Sequence, residues 1–202
     1  MEINKICVYC GSSAGRLPVF REAAQQLGAE IASRGIDLVY GGASVGLMGE
    51  VARAALAGGG KVTGVIPQSI ADQEVAFMGL DDLIVVNSMH ERKARMAELA
   101  DGYIALPGGY GTFDEFFEVL TWAQLGMHAK PCGLLNVEDY YGQLLAFLDH
   151  AVQEMFIHAP HREMILSAVD SSDLIDQMAA YDKAPINKAT WVHAMEKNRG
   201  SQ

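Results

Sequence analysis

Tyr103-Ile104-Ala105-Leu106-Pro107-Gly108-Gly109-Tyr110-Gly111-Thr112-Phe113-Asp114-Glu115 holds a strand, a glycine turn and the start of a helix in thirteen consecutive positions. The apolar run over 103–106 reads as a strand closed by Pro107, and the helix is expected over 112–124. At the join, glycines let backbone N–H groups approach a ligand closely. Those N–H groups and the positive end of the helix dipole favour a phosphate. Thr112-x-x-Glu115 also has the form of a capping box, with Thr112 as N-cap and Glu115 reciprocating. A cap does not require three glycines, so the phosphate cradle of Gly108, Gly109, Tyr110, Gly111 and Thr112 is the preferred reading. The segment lacks the G-x-x-x-x-G-K-[ST] of a Walker loop, and Asp114 stands where a dinucleotide fingerprint has its third glycine. A mononucleotide is therefore the expected guest.

The same alternation runs outward on both sides. Strands are expected over 3–9, 36–40, 61–66, 83–86, 132–135 and 165–169. Helices are expected over 19–34, 46–57, 88–100 with Ser88 as N-cap, 137–155 for the most part, and 173–180. Strands alternating with helices imply βαβ units with right-handed crossovers. The strands are apolar runs, as they are when both sheet faces are covered. The expected architecture is α/β, a Rossmann-like doubly wound, mainly parallel sheet of about seven strands with helices on both faces. It would form one nucleotide-binding domain over 1–182, followed by a polar tail over 183–202. In such folds ligands bind at the carboxyl ends of the strands.

Three other segments carry chemistry. In Ser88-Met89-His90-Glu91-Arg92-Lys93-Ala94-Arg95-Met96, the i, i+3, i+7 spacing puts Met89, Arg92 and Met96 on one inward helix face. An arginine on an apolar face requires an anionic partner, whereas Glu91 and Arg95 read as a solvated i,i+4 pair. Gly41-Gly42-Ala43-Ser44-Val45-Gly46-Leu47-Met48-Gly49 joins a strand to a helix, and its glycines either line a ligand or allow close packing. Cys10-Gly11-Ser12-Ser13 ends the first strand, with the Ser12 and Ser13 hydroxyls able to bond a ribose or base.

Composition sets the bounds. The 202 residues are half hydrophobic and one-fifth charged, as in globular proteins, and the net charge of −10 argues against a nucleic-acid footprint. No apolar run approaches the roughly 20 residues that span a bilayer. The N-terminus lacks the pattern of a secretory signal, and the three cysteines fit a reducing compartment, so a cytoplasmic location is expected. Cys7-x-x-Cys10 has no second pair and is not expected to hold zinc. His158 and His161 flank Pro160 and are expected at the surface, so no metal site is assigned.

Pro107-Gly108-Gly109-Tyr110-Gly111-Thr112-x-x-Glu115, with Met89-x-x-Arg92-Lys93 upstream, resembles the LONELY GUY (LOG) family. Its members are cytokinin riboside 5′-monophosphate phosphoribohydrolases, long labelled possible lysine decarboxylases. The likeness runs from about Lys5 to Tyr181, with Ala43 departing from the third glycine of many relatives. It implies hydrolysis of the N-glycosidic bond of a purine nucleoside 5′-monophosphate, such as AMP or isopentenyl-AMP, to free base and ribose 5-phosphate. Glu115 would assist at the ribose, and Arg92 would orient Glu115 and the sugar or assist the leaving base. Met89, Gly41 and Gly42 would contact substrate. Lys93, Thr112 and the 108–111 amides would hold the phosphate. No metal or organic cofactor is implied, and a homodimer is, the helix bearing Phe116, Phe117, Leu120 and Trp122 supplying surplus apolar surface. Related folds also carry the molybdenum cofactor, which makes a non-catalytic carrier the alternative. A pyridoxal decarboxylase needs a Schiff-base lysine in a cofactor pocket, which neither Lys93, beside Arg92, nor Lys61, at a strand start, supplies.

Overall fold

The computed structural model describes residues 2–72 and 76–182, so the tail expected over 183–202 lies outside the described residues. The elements run β1 (Lys5–Tyr9), α1 (Pro18–Ser33), β2 (Asp37–Tyr40), α2 (Gly46–Ala57), β3 (Val62–Pro67), the short α3 (Gln68–Ile70) and β4 (Asp82–Val86). Then come α4 (Met89–Leu99), β5 (Gly102–Ala105), α5 (Tyr110–Gln124), β6 (Cys132–Leu135), α6 (Gly142–Gln153), the short α7 (Ala159–Arg162), β7 (Ile165–Ala168) and α8 (Ser171–Ala179). The stretch 137–155, expected to be mostly helical, is so, with a break near its start. A 3-10 turn at Val137–Asp139 contains Glu138 and Asp139 in left-handed backbone, with φ of 51° and 54°, and α6 starts only after it.

All seven strands are parallel, in the order β4-β3-β2-β1-β5-β6-β7. The chain winds outward from β1 to β4, then crosses back to lay β5 on the free side of β1. The loops leaving β1 and β5 therefore diverge, which is the topological switch where such sheets open a crevice. Side chains of β1 alternate between the two covered faces. Ile6 and Val8 pack in the core that includes Leu27, Val51 and Leu174, while Cys7 and Tyr9 pack in the one that includes Met96, Phe116 and Leu148. This double burial is why the strands read as unbroken apolar runs.

The alternation also settles the cysteines. Three positions apart on a strand and its end, Cys7 and Cys10 point to opposite cores and cannot share a ligand. All three cysteines are free and buried, and burial raises each thiol, that of Cys132 to about 12. Among the described residues no group of three metal-binding side chains occurs, and no helix is long and apolar enough to cross a membrane. His161 is a correction to the expected surface placement. It is buried, with Nδ1 3.1 Å from Gln124 Nε2, because α7 packs it against α5.

Candidate active site

The α4 helix begins with a side-chain cap at Ser88, braced from the third helical position by Glu91. The Ser88 hydroxyl accepts the Glu91 N–H at 3.1 Å, and the Glu91 carboxylate turns back to accept the Asn87 N–H at 2.9 Å. The expected Glu91–Arg95 pair does not form, since Glu91 is committed to the cap and Arg95 pairs with Glu98 at 2.6 Å. With its start fixed, α4 turns Arg92 and Met96 inward, both buried. The Arg92 side chain is anchored twice. Its Nε donates to the Val65 carbonyl of β3 at 3.0 Å, and its Nη1 donates to Glu115 Oε1.

Glu115 lies in the second turn of α5 and is 8 % exposed, beside Arg92 at 7 %. Burial raises the Glu115 carboxyl above the usual carboxylate range, and the Arg92 cation opposes that shift without cancelling it. A buried carboxyl shifted in this way by desolvation and a charge partner is the kind of group that gathers at functional sites.

The start of α5 corrects the capping-box reading. Gly109 is the N-cap, Thr112 already sits in the first turn, and no side chain caps this end. The Gly109 carbonyl accepts the Phe113 N–H at 3.1 Å, which leaves the amides of the first turn without intrahelical partners. Thr112 is buried against the glycines. A Cβ on Gly108 would fall 2.1 Å from Thr112 Oγ1. The uncapped helix end and the Arg92–Glu115 pair open into one cavity of about 350 Å³ at the switch point.

Over residues 48–178 the chain matches the family model described as "Possible lysine decarboxylase". It is 53% identical over 179 residues to the cytokinin riboside 5′-monophosphate phosphoribohydrolase LOG7 of Arabidopsis thaliana, across 89% of this chain and 82% of that protein. The chain belongs to the LOG family. The enzyme LOG of Oryza sativa subsp. japonica is 52% identical over 178 residues, across 88% of this chain and 74% of that protein. Among solved structures, the molybdenum cofactor binding protein of the phototrophic bacterium Rippkaea orientalis superposes with a TM-score of 0.68 over 89% of this chain and 98% of that one. At 24% identity this likeness establishes a common fold and nothing further.

In this LOG-family chain the anticipated residues divide among three places. Ser12, Gly41, Met89, Arg92 and Glu115 line the main cavity, together with Gly109, Tyr110, Gly111 and Thr112 from the start of α5. Ser13 and Gly108 instead line a neighbouring cavity of about 290 Å³ beyond the Gly11–Gly109 partition. Gly42 lines neither. It takes the left-handed φ of 76° that turns the chain after β2, with a Cβ position 3.0 Å from Ile66.

Lys93 is the clearest departure. Its Nζ lies 3.0 Å from Asp114 and 3.1 Å from Glu118, on the flank of α5, and it lines neither cavity. One residue on from Arg92 is about 100° round the helix, enough to turn Lys93 away from the cavity and against the acidic side chains of α5. Phe116 is spent within the chain, and Phe117, Leu120 and Trp122 pack partly on the same core, so this helix face carries less surplus apolar surface than the sequence suggested. Sequence reasoning missed Tyr9, Met48 and Ile70, which complete the cavity wall. Met48 had a readable signal, since it follows Gly46 at the start of a helix on the same sheet edge.

Proposed function

We propose that this chain hydrolyses the N-glycosidic bond of a purine nucleoside 5′-monophosphate, plain or cytokinin-type, to free base and ribose 5-phosphate. The observation that carries the reading is the buried Arg92–Glu115 pair facing the same cavity as the uncapped amides of α5. The 5′-phosphate would accept hydrogen bonds from the amides of the first turn of α5, at the positive end of the helix. That anchor places the ribose over Glu115. As the bond to the base lengthens, positive charge develops at the ribose, and the carboxylate stabilises it and takes a proton from the attacking water. The water oxygen joins the ribose, the bonding electron pair leaves with the base, a proton from solvent completes the base, and Glu115 returns the water's proton to solvent. Arg92, held by the Val65 carbonyl, keeps Glu115 aimed. Met48, Ile70 and Met89 supply an apolar wall for the base.

Incubation with AMP and with N6-isopentenyl-AMP should release base and ribose 5-phosphate, and the matching nucleosides should react far more slowly. No base from either nucleotide would overturn the reading. Equal rates on nucleosides would remove the phosphate anchor from it. We place the activity in the cytoplasm, where buried thiols stay reduced. The partner is a second copy of the chain, for which the exposed Phe147, Met155 and Phe156 offer apolar surface. Light scattering on the purified protein reads that assembly.

Gly41 gives a local test. A Cβ there would lie 2.1 Å from Arg92 Nη2 and 2.9 Å from Met48 Sδ, both movable side-chain atoms. Gly41→Ala should therefore leave the fold standing and displace the guanidinium. Turnover is expected to fall about 10²-fold, the scale of a misplacement near 1 Å, and the melting temperature to drop as the buried Arg92–Glu115 pair is strained. Wild-type turnover in this variant would mean that the seat of Arg92 does not matter.

A further inference from the structure

Three consecutive carbonyls enter the phosphate loop, and each is held by a named donor. Leu106 O accepts the Tyr141 hydroxyl at 2.7 Å, Pro107 O accepts the Gly11 N–H at 3.1 Å, and Gly108 O accepts the Tyr140 hydroxyl. We propose that Tyr140 is a positioning residue, which holds the Gly108–Gly109 peptide so that the Gly109 N–H faces the phosphate. The inference rests on the hydrolase reading above.

The argument starts from the peptide plane. In a trans peptide the C=O and the following N–H point in opposite directions, and no described peptide is cis. Tyr140 lies on the wall of the smaller cavity and draws the Gly108 carbonyl to that side. The Gly109 N–H is thereby turned the other way, toward the cavity of Arg92 and Glu115. Nothing local enforces this. Both residues are glycines, so no side chain of the turn itself bars the backbone angles of a flipped peptide. A flipped peptide would present a carbonyl to the phosphate in place of a donor. Tyr141 does not share the task, because the peptide after Leu106 ends on a proline nitrogen, which carries no hydrogen to aim.

The turn that delivers Tyr140 is strained. Glu138 and Asp139 both adopt left-handed backbone, which disfavours side-chain-bearing residues. Asn136 secures them: its Oδ1 accepts the Tyr141 N–H at 2.7 Å and its Nδ2 donates to Asp139 at 3.1 Å. The Phe20 ring of α1 meets Tyr140 edge-on at 6.0 Å. Strain retained beside a ligand loop is where a positioning function is to be sought.

Tyr140→Phe keeps the ring and removes the tether. The variant should raise KM for AMP and the dissociation constant of AMP measured by calorimetry about tenfold, the weight of one charge-assisted hydrogen bond. Its kcat should stay within about threefold, and its slow turnover of adenosine should not change. Tyr141→Phe should lower the melting temperature without this phosphate-specific loss. An AMP affinity within twofold of wild type in Tyr140→Phe, or a parallel loss on adenosine, would overturn the assignment. Calorimetry needs no turnover. A wild-type protein that binds AMP but releases no base would sink the hydrolase reading and leave the tether to be judged on affinity.

Discussion

Glu115→Gln is expected to lower kcat on a nucleoside 5′-monophosphate by about 10²- to 10⁴-fold, the range of a lost general base, with KM changed only a few-fold. The amide has the size of the carboxylate and can still accept the Arg92 hydrogen bond, so packing is preserved. What it lacks is the negative charge beside the ribose and a site for the proton of the attacking water. The proposed phosphate contacts lie on α5 amides and do not involve Glu115, which is why affinity should persist. Single-turnover assays of base release, read beside AMP affinity, separate the two. A variant that retains most of its turnover would remove Glu115 from the chemistry. It would equally favour a carrier, which has no use for a buried carboxylate at the bottom of its pocket.

Arg92→Met is expected to cost both stability and activity. Removing one partner of a buried ion pair leaves the other charge uncompensated, with a penalty of about 3–5 kcal/mol at neutral pH. The sign of the pH dependence follows from Glu115. Its carboxyl is raised in the folded protein by burial, so the folded state holds this proton more tightly than the unfolded chain does. Its contribution to stability is therefore full below the ordinary carboxylate range and is lost as pH rises through the raised value. Without Arg92 that value climbs further, because the opposing cation is gone. The variant should recover part of its stability in acid, visible as a smaller gap between wild-type and variant urea midpoints. Activity runs the other way, since the carboxylate form is required. The acid limb of kcat/KM should lie above the usual glutamate range in the wild type and move higher in Arg92→Met. Equal stability at every pH, with an unmoved limb, would refute the role given to this pair.

The fold was legible because its strands are buried on both faces and its helices on one, two patterns that differ in period and survive without tertiary knowledge. Strand ends at Tyr9, Tyr40 and Ala105 each lead into glycine-rich turns, so the ligand edge could be located before any coordinates. Arg92 was legible for the same reason: a charge on the Met89–Met96 face has to meet another. What failed was the assignment of partners. Ser88-x-x-Glu91 and Thr112-x-x-Glu115 have the same form, yet only the first is a cap. The difference lies in Gly109, which takes the N-cap position and shifts Thr112 into the helix, and in Arg92, which claims Glu115 from another part of the chain. Lys93 failed similarly. Its proximity to Arg92 in sequence suggested a common ligand, whereas Asp114 and Glu118 hold it on the outer flank. Tyr140 gave no signal, because its role depends on a carbonyl 32 positions away.

The place of β1 in the sheet has a consequence for biosynthesis. One edge of β1 pairs with β2, starting at Lys5 opposite Asp37, so it can be satisfied soon after those residues leave the ribosome. The other pairs with β5, Ile6 opposite Gly102, and must wait until the chain has grown from Tyr40 past Gly102. Until then the middle strand of the finished sheet is an edge strand, open to unwanted pairing. Gly41 and Arg92 emerge before that closure and Glu115 after it. A nascent chain therefore carries an arginine with no counter-charge until α5 follows β5 into place, and a product truncated before α5 would lack both Glu115 and the helix end that faces it across the cavity.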